Sequence, residues 1–325
     1  MSLPKVYVAR RVQETGMSLL AGRVDYEVWE GDGPVDRAVL MEKSADAEGL
    51  LATLSDRIDE ELLTACPRLR VVSNYAVGFD NIDVPAATER KIIVTNTPDV
   101  LTDATADIAF TLLLASARRV VEANEFLRSG DWVTWKPDLL LGADVSGATL
   151  GIVGMGKIGQ AVARRGRGFG MKILYVNRSS REEAERELGA RRVSFEELLA
   201  ESDFISLHCP LSDETRGLID ERALRAMKKT AFVINTSRGP VVDQGALFKA
   251  CSEGWIAGAG LDVFDVEPVP LDEPLLTLKN VTTLPHLGSA TVRTREAMAR
   301  KAAENLLAAL DGRRPADLVN PEVFD

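Results

Sequence analysis

The chain has 325 residues, of which 46% are hydrophobic, and it carries a formal net charge of −10 at pH 7. This length suggests two domains of ordinary globular composition, and the mixed, predominantly negative charge disfavours nucleic acid or an anionic membrane as the main partner. The first residues lack a signal-peptide core, the most apolar stretch (108–117) is too short to span a bilayer, and the three cysteines form no paired set, so we expect a cytoplasmic protein.

The first hundred residues alternate short apolar runs with helical stretches. The predicted strands are Val6–Ala9, Tyr26–Trp29, Gly49–Ala52, Arg70–Ser73 and Ile92–Val94, and the predicted helices include Asp59–Ala65 and Val84–Arg90. This alternation predicts a parallel sheet with helices on both faces. No glycine-rich turn follows the first strand, so we expect this domain to lack a dinucleotide site.

A single long helix is predicted from Asp103 to Arg128. Its apolar side chains cover more than one face, which is typical of a helix buried between domains or in a subunit interface. The loop that follows, residues 131–142, carries Trp132 and Trp135. Three alternatives stay open for these tryptophans: lining an active site, contacting a second subunit, or packing on their own domain.

A second series of strands follows this loop. The predicted strands are Leu150–Val153, Ile173–Val176, Phe204–His208, Phe232–Asn235, Gly260–Val263 and Thr282–Leu284. Six strands with a glycine-rich turn after the first match a dinucleotide-binding fold. A last amphipathic helix, Thr291–Leu310, and a short tail end the chain, and we expect the tail to pack on the first domain.

The sequence therefore predicts an α/β protein with two doubly wound parallel-sheet domains. We expect residues 1–100 with 289–325 to form a flavodoxin-like domain that binds substrate. Residues 101–288 should form a Rossmann domain, with the ligand cleft between the two domains, at the carboxyl ends of the strands.

Gly154, Gly156 and Gly159 form a G-x-G-x-x-G between an apolar run and a helical pattern. In this context the first glycine makes a tight turn, the second lets backbone approach a pyrophosphate, and the third lets the helix pack on the strand. The free N–H groups at the helix N-terminus then attract the phosphates. The motif predicts that this domain binds a nicotinamide dinucleotide.

The end of the next strand discriminates between the two nicotinamide cofactors. An acidic residue there accepts hydrogen bonds from the ribose of NAD, but this chain has Asn177, Arg178, Ser179, Ser180 and Arg181. Amide, hydroxyl and guanidinium groups suit a 2′-phosphate, so we predict a preference for NADP(H), with NAD(H) as the second candidate. The alternative is that the arginines are ordinary solvated charges that open the next helix.

Three residues at the ends of later strands have the chemistry for reduction of a 2-keto acid. Arg238 can bind a carboxylate and polarise a carbonyl, and His286 can transfer the proton. Glu267 would hydrogen-bond the other ring nitrogen of His286 and favour the imidazolium. Because the carboxyl ends of parallel strands share one edge, we expect the three side chains to converge.

The second histidine, His208, precedes Pro210 at the end of another strand. We expect it on the adenosine or pyrophosphate side of the cofactor, as a core or cofactor-side residue, which makes it the weaker acid–base candidate. No spacing of histidines and cysteines indicates a metal site.

These residues lie in segments that resemble a known family. NTSRGPVVD, AGLDVFDVEP and LPHLGSAT are similar to the signature segments of the D-isomer-specific 2-hydroxyacid dehydrogenases, and YAVGFDNIDV and NTPDVLTDATAD are similar to its substrate-domain and hinge segments. The match covers essentially the whole chain and most resembles the glyoxylate/hydroxypyruvate reductases. The resemblance also implies a homodimer, with the long helix and the following loop in the interface.

The resemblance assigns roles to particular residues. It implies Arg238, Glu267 and His286 as the catalytic set, and backbone around Val77 and Gly78 for the substrate carboxylate, with Arg238 and His286 also contacting substrate. The implied cofactor contacts are Thr105, Gly154, Met155, Gly156, Lys157, Ile158, Gly159, Asn177, Arg178, Ser179, Pro210, Thr215, Thr236, Ser237, Arg238, Asp262, His286 and Gly288. Residues implied to shape the substrate pocket are Leu54, Arg295 and Trp135, although the loop of Trp135 looks shorter than in close relatives.

The leading hypothesis is an NADPH-dependent reductase of small 2-keto acids such as glyoxylate and hydroxypyruvate. A D-lactate or 3-phosphoglycerate dehydrogenase of the same fold is the runner-up. The non-enzymatic alternative is an NAD(H)-sensing corepressor-like protein, which the complete set of chemical groups disfavours.

Overall fold

The two series of alternating strands and helices form two separate parallel sheets. The computed structural model describes residues 2–325 and divides into two units. Unit 1 comprises the chain up to Leu101 together with Ser289–Asp325, and unit 2 comprises Thr102–Gly288. The two-domain α/β architecture expected from the sequence is confirmed.

Unit 1 contains a five-stranded parallel sheet. Its strands are β1 (Lys5–Val8), β2 (Asp25–Val28), β3 (Gly49–Ala52), β4 (Val71–Asn74) and β5 (Ile93–Thr95). They lie in the order β2-β1-β3-β4-β5, the doubly wound order of flavodoxin-like folds. Every residue of β3 and β4 is buried because helices cover both faces, and β3 accordingly reads as a continuous apolar run, whereas β4 ends with the buried polar residues Ser73 and Asn74.

Three of the five helices of unit 1 begin at aspartates. The five are α1 (Glu14–Leu20), α2 (Arg37–Ser44), α3 (Glu60–Ala65), α4 (Val84–Glu89) and, near the end of the chain, α12 (Val292–Leu310). The side chains of Asp36, Asp59 and Asp83 accept hydrogen bonds from free N–H groups in the first turns of α2, α3 and α4.

Unit 2 contains a seven-stranded parallel sheet, one strand more than predicted. Its strands are β6 (Thr149–Val153), β7 (Lys172–Val176), β8 (Arg191–Arg192), β9 (Phe204–Leu207), β10 (Phe232–Asn235), β11 (Gly258–Leu261) and β12 (Val281–Thr283). They lie in the order β12-β11-β10-β9-β6-β7-β8, so the chain reverses direction of winding between β6 and β9. The extra strand, β8, has only two residues, both charged, and its sequence gives no strand signal.

The long helix predicted from Asp103 to Arg128 is wrong. The structure has α5 (Thr102–Ala117) and α6 (Val120–Arg128), separated where Arg119 adopts a left-handed φ of 52°. The break coincides with a packing contact from the returning chain, because Ala143 N donates to Ala117 O at 2.8 Å. Burial differs as well: α5 is largely buried, whereas α6 has no buried residue.

The remaining elements of unit 2 cover its sheet. The helices are α7 (Lys157–Gly168), α8 (Glu182–Leu188), α9 (Phe195–Glu201), α10 (Glu221–Ala226) and α11 (Gln244–Ser252). Short 3₁₀ turns lie at Gly239–Val241, Pro274–Thr277 and, in unit 1, Pro321–Phe324. Within residues 2–325, no helix has the length and apolar character needed to cross a membrane.

The C-terminal tail is fixed to unit 1 by one buried side chain. Asn320 Oδ1 accepts from Val94 N at 2.8 Å, and its Nδ2 donates to Ile92 O at 2.9 Å and to Thr88 Oγ1 at 3.0 Å. Asn320 is 1% exposed, so removal of the amide leaves buried backbone groups of β5 without partners.

We expect Asn320→Ala to lower the free energy of unfolding by about 2–3 kcal/mol, the cost of leaving buried polar groups unpaired. Urea denaturation followed by circular dichroism measures this shift, with Glu322→Ala as the control because Glu322 is exposed in the same tail. Equal midpoints for the two variants would contradict the role assigned to Asn320.

Candidate functional site

The glycine turn after β6 leaves space for a ligand at one position only. An ideal Cβ on Gly154, whose φ is 97°, would lie 2.7 Å from backbone of His208, and one on Gly159 would lie 2.2 Å from Gly154 O. A Cβ on Gly156 would meet no atom within 4 Å. The first and third glycines are therefore required by packing, whereas the second faces open space, as a pyrophosphate site requires.

A second feature also fits a dinucleotide. The hydroxyl of Thr236 is buried, and it has no hydrogen-bond partner among residues 2–325. A buried polar group without a partner is uncommon in a folded protein, and at the end of this strand it is compatible with a bound ligand that supplies the bond. Thr236 follows β10, so this hydroxyl and the glycine turn lie at the carboxyl ends of strands in one sheet.

The loop after β7 has the character expected of a 2′-phosphate site. Asn177 is half-buried and Arg178, Ser179 and Arg181 are exposed. Among the residues that the structure describes, neither Arg178 nor Arg181 forms an ion pair with a carboxylate. The two charges are thus available to an anionic ligand rather than committed to surface salt bridges.

Glu267 and His286 form a direct hydrogen bond. His286 Nδ1 lies 2.6 Å from Glu267 Oε2, and Glu267 Oε1 accepts from Phe264 N at 3.0 Å. The two side chains are each 26% exposed. With both carboxylate oxygens engaged, Glu267 fixes the plane and the orientation of the imidazole ring.

The ionisation of Glu267 follows from its surroundings. Burial by itself would raise its pKa, but the hydrogen bond and charge of His286, the N–H of Phe264 and the charge of Arg238 together bring that pKa below its ordinary value. The carboxylate therefore stays ionised across the neutral range.

Asp262 holds the backbone on which His286 stands. His286 has a left-handed φ of 55°, and its N–H donates to Asp262 O at 2.9 Å. The two carboxylate oxygens of Asp262 accept from Leu287 N at 2.6 Å and from Gly288 N at 2.8 Å. Burial raises the pKa of Asp262, and these N–H bonds oppose that rise.

Arg238 lies beside the segment that carries Glu267. A Cβ on Gly239, the next residue, would lie 1.9 Å from Phe264 C, so the two backbones are in close contact. Asn235 at the end of β10 shapes this turn, since its Nδ2 donates to Arg238 O at 2.8 Å. The structure thus brings Arg238, Glu267 and His286 together at the ends of β10, β11 and β12, which are neighbours in the sheet.

His208 lies elsewhere at the same edge of the sheet. Its Nε2 is 2.8 Å from Ser206 Oγ, and burial lowers its pKa to about 4. The ring is therefore neutral near pH 7. Its backbone carbonyl lies against Gly154 of the glycine turn, on the side where the sequence analysis expects it.

Other predicted cofactor contacts also cluster at this edge. Thr105 lies next to Gly288, because a Cβ there would be 3.4 Å from Thr105 Cγ2. Thr215 Oγ1 donates to Pro210 O at 2.6 Å in the loop after β9. No group of three or more metal-binding side chains occurs in the described part of the chain.

Unit 1 has a loop with free backbone donors after β4. Val77 O accepts from Asn96 Nδ2 at 2.7 Å, and Gly78 O accepts from Asn74 Nδ2 at 2.8 Å. The N–H groups of Val77 and Gly78 donate to no acceptor among residues 2–325. This loop can therefore bind an anion with its N–H groups, since its carbonyls are already paired.

Two asparagines to which the motifs assign no role arrange this loop. Each stands at or just beyond the end of a strand, Asn74 in β4 and Asn96 after β5, and that position was the available signal. Leu54 lies after β3 and is 39% exposed. The guanidinium of Arg295 stacks 6.0 Å from the ring centroid of Tyr75, near the start of the same loop.

Comparison with known proteins agrees with these features. Residues 110–288 match the family model of the D-isomer specific 2-hydroxyacid dehydrogenase, NAD binding domain. Glyoxylate reductases of Korarchaeum cryptofilum and Thermococcus kodakarensis are 55% and 56% identical, over 98% of this chain and 97% of each relative. A structure of an NADPH-dependent glyoxylate/hydroxypyruvate reductase from Sinorhizobium meliloti, in complex with NADP and malonate, has a TM-score of 0.87 and 35% identity, covering 99% of this chain and 98% of that one.

The resemblance drawn from the sequence motifs is confirmed. The chain belongs to the D-isomer specific 2-hydroxyacid dehydrogenase family of oxidoreductases.

Proposed function

We propose that this protein is an NADPH-preferring reductase that converts small 2-keto acids, glyoxylate and hydroxypyruvate, to 2-hydroxy acids. The observation that carries the proposal is the 2.6 Å hydrogen bond between His286 and Glu267, whose pKa is held low, next to Arg238. The relatives named as glyoxylate reductases support the choice of substrate class.

The proposed chemistry assigns one task to each group. A bound nicotinamide supplies the hydride for the carbonyl carbon. His286 Nε2 donates the proton to the carbonyl oxygen. The Nδ1–H group of the ring stays hydrogen-bonded to the carboxylate of Glu267, which stabilises the imidazolium before the transfer. Arg238 holds the substrate by charge-assisted hydrogen bonds and polarises its carbonyl. In the reverse direction the neutral imidazole accepts the proton.

We propose that the free N–H groups of Val77 and Gly78 bind the substrate carboxylate. This proposal is supported by the hydrogen bonds from Asn96 and Asn74 to the carbonyls of Val77 and Gly78. Because these carbonyls are paired, the loop presents only N–H donors to a ligand. Leu54, Arg295 and Trp135 are proposed to shape the pocket around the remainder of the substrate. The three cysteines are free, which supports the proposed cytoplasmic location.

His286→Asn should lower kcat for glyoxylate about 10²–10⁴-fold, because general acid catalysis is lost, while NADPH binding stays within about threefold. Initial rates with glyoxylate, hydroxypyruvate, pyruvate and 3-phosphohydroxypyruvate measure this and also separate the related dehydrogenase activities. His208→Asn is the matched control, and it should retain most of the turnover. Equal losses in the two variants would refute the role of His286.

Asn177→Asp should shift the preference from NADPH toward NADH by about tenfold or more, since a carboxylate repels the 2′-phosphate. The ratio of kcat/KM values for the two cofactors measures the shift. Asp144→Asn, which changes one charge in unit 2 at a position before β6, is the control and should leave the ratio unchanged. A ratio unaffected by Asn177→Asp would show that the phosphate binds elsewhere.

We also propose that the protein is a homodimer that associates through α6 and the following loop. Of the sixteen large hydrophobic residues that are exposed in the described chain, seven lie here. They are Val120, Val121, Leu127, Trp132, Val133, Trp135 and Leu141. Beside them a groove of about 650 Å³, lined in part by Val121 and Leu141, can accept apolar side chains of a second copy.

Light scattering should give about twice the subunit mass of 35.3 kDa for the wild-type protein. The double variant Val120→Glu, Leu127→Glu should shift the mass toward the monomer, because it places charges in an apolar interface. Leu271→Glu changes a leucine that is 97% exposed elsewhere in unit 2, and it should leave the mass unchanged. A monomeric wild-type protein would exclude the proposed dimer.

A further inference from the structure

Arg192 lies in the two-residue edge strand β8, directly beside the end of β7. It pairs in register with Tyr175, and Val193 N donates to Tyr175 O at 3.0 Å. This pairing brings the Arg192 side chain to the loop of residues 177–181. Arg192 is not among the residues that the motifs pointed to, because β8 has no signal in the sequence.

One nitrogen of Arg192 binds two successive carbonyls of this loop. Its Nη2 donates to Asn177 O at 3.0 Å and to Arg178 O at 2.9 Å. The third carbonyl, that of Ser179, accepts from Asn177 Nδ2 at 3.0 Å. All three acceptors are thus occupied by side chains of the same unit.

Three backbone N–H groups of this loop, unlike its carbonyls, have no hydrogen-bond partners within the described chain. The N–H groups of Arg178, Ser179 and Ser180 donate to no acceptor in the described part of the chain. Successive free N–H groups whose carbonyls are engaged elsewhere form an anion-binding concavity. At the far end of the loop, Arg181 N donates to Tyr175 Oη at 2.8 Å, so the run of free N–H groups ends at Ser180.

The charge of Arg192 is also available, in contrast to that of its neighbour. Arg191 forms ion pairs with Glu197 at 2.5 Å and with Glu201 at 3.1 Å. Arg192 forms no ion pair with any residue between 2 and 325, and its side chain donates to the two carbonyls. The nearby carboxylate of Glu185 is engaged by Tyr175 Oη at 2.6 Å.

We propose that Arg192 is a positioning and specificity-determining residue for the 2′-phosphate of NADPH. It holds the carbonyls of Asn177 and Arg178 away from the anion, and it adds a positive charge behind the free N–H groups. This inference rests on the NADPH preference proposed above and assigns a residue to it from a different strand.

Loss of Arg192 should affect the two cofactors differently. Without the guanidinium, Asn177 O and Arg178 O are free acceptors, and they repel a phosphate dianion. The ribose of NADH has a hydroxyl at the same position, which can donate to a free carbonyl. The cost should therefore fall on NADPH alone.

The test compares dissociation constants of NADPH and NADH, measured by nucleotide fluorescence, for the wild-type protein, Arg192→Met, Arg192→Lys and Arg191→Met. Arg192→Met should bind NADPH about tenfold or more weakly and NADH within about twofold of the wild type, as expected for loss of a charged hydrogen-bond donor. Arg191→Met should bind both cofactors as the wild type does, and Arg192→Lys should recover most of the NADPH affinity. Adenosine 2′,5′-bisphosphate and 5′-AMP should repeat the contrast without the nicotinamide.

Equal weakening of NADPH and NADH by Arg192→Met, or no weakening of NADPH, would overturn the inference. Thermal midpoints of the variants check that the fold is retained, since Arg192 is exposed. The cofactor preference itself is given by the ratio of the NADPH and NADH dissociation constants of the wild-type protein. A wild type that binds both cofactors alike would refute the preference, whereas a selective loss in Arg192→Met would still support Arg192.

Discussion

A single buried carboxylate, that of Asp262, organises the segment on which the proposed chemistry depends. Its two oxygens bind the N–H groups of Leu287 and Gly288, and its own carbonyl binds the N–H of His286. These three bonds stabilise a left-handed conformation at His286 that a non-glycine residue seldom adopts. From this backbone position the imidazole of His286 reaches Glu267, so Asp262 helps to place the pair through its bonds to the backbone.

The same region depends on close backbone packing. Gly239 has no space for a side chain because the segment before Glu267 passes directly over it. This contact places the turn of Arg238 against the loop of Glu267. The side chains of Arg238, Glu267 and His286 are thus positioned by strands that end at one edge of the sheet and by close backbone packing at that edge. Such rigid support restricts the geometry of reacting groups in enzymes.

The parts of the structure that depend on local pattern could be predicted from the sequence, and the parts that depend on distant contacts could not. Buried parallel strands read as apolar runs, so β3 and β10 were located to the residue, and the family and both sheets are confirmed. The helix break at Arg119 was missed because it coincides with a contact from Ala143, which returns from more than twenty residues away. The local pattern of apolar residues along a helix does not report such long-range contacts.

The overlooked polar residues have the same physical explanation. Asn74, Asn96 and Arg192 act through hydrogen bonds to carbonyls whose positions are set by the fold. Asn74 directly precedes the segment YAVGFDNIDV and Asn96 begins the segment NTPDVLTDATAD, but neither motif indicates which group its asparagine binds, and Arg192 lies in no motif. Sequence motifs identify groups that contact a ligand, such as the glycine turn. They do not identify groups that arrange the backbone behind it.

The chain has 39 lysines and arginines against 49 aspartates and glutamates, so it is acidic overall, whereas both ligands of the proposed function are anions. Its two candidate anion loops use one arrangement. After β4, Asn74 and Asn96 bind the carbonyls of Gly78 and Val77, and after β7, Arg192 binds those of Asn177 and Arg178. In each loop the acceptors are paired within the unit and the N–H groups remain free, so the backbone itself becomes the electropositive surface. Recognition by fixed backbone dipoles requires no excess of basic residues, so the proposed binding of a carboxylate and a phosphate is compatible with the net negative charge of the chain.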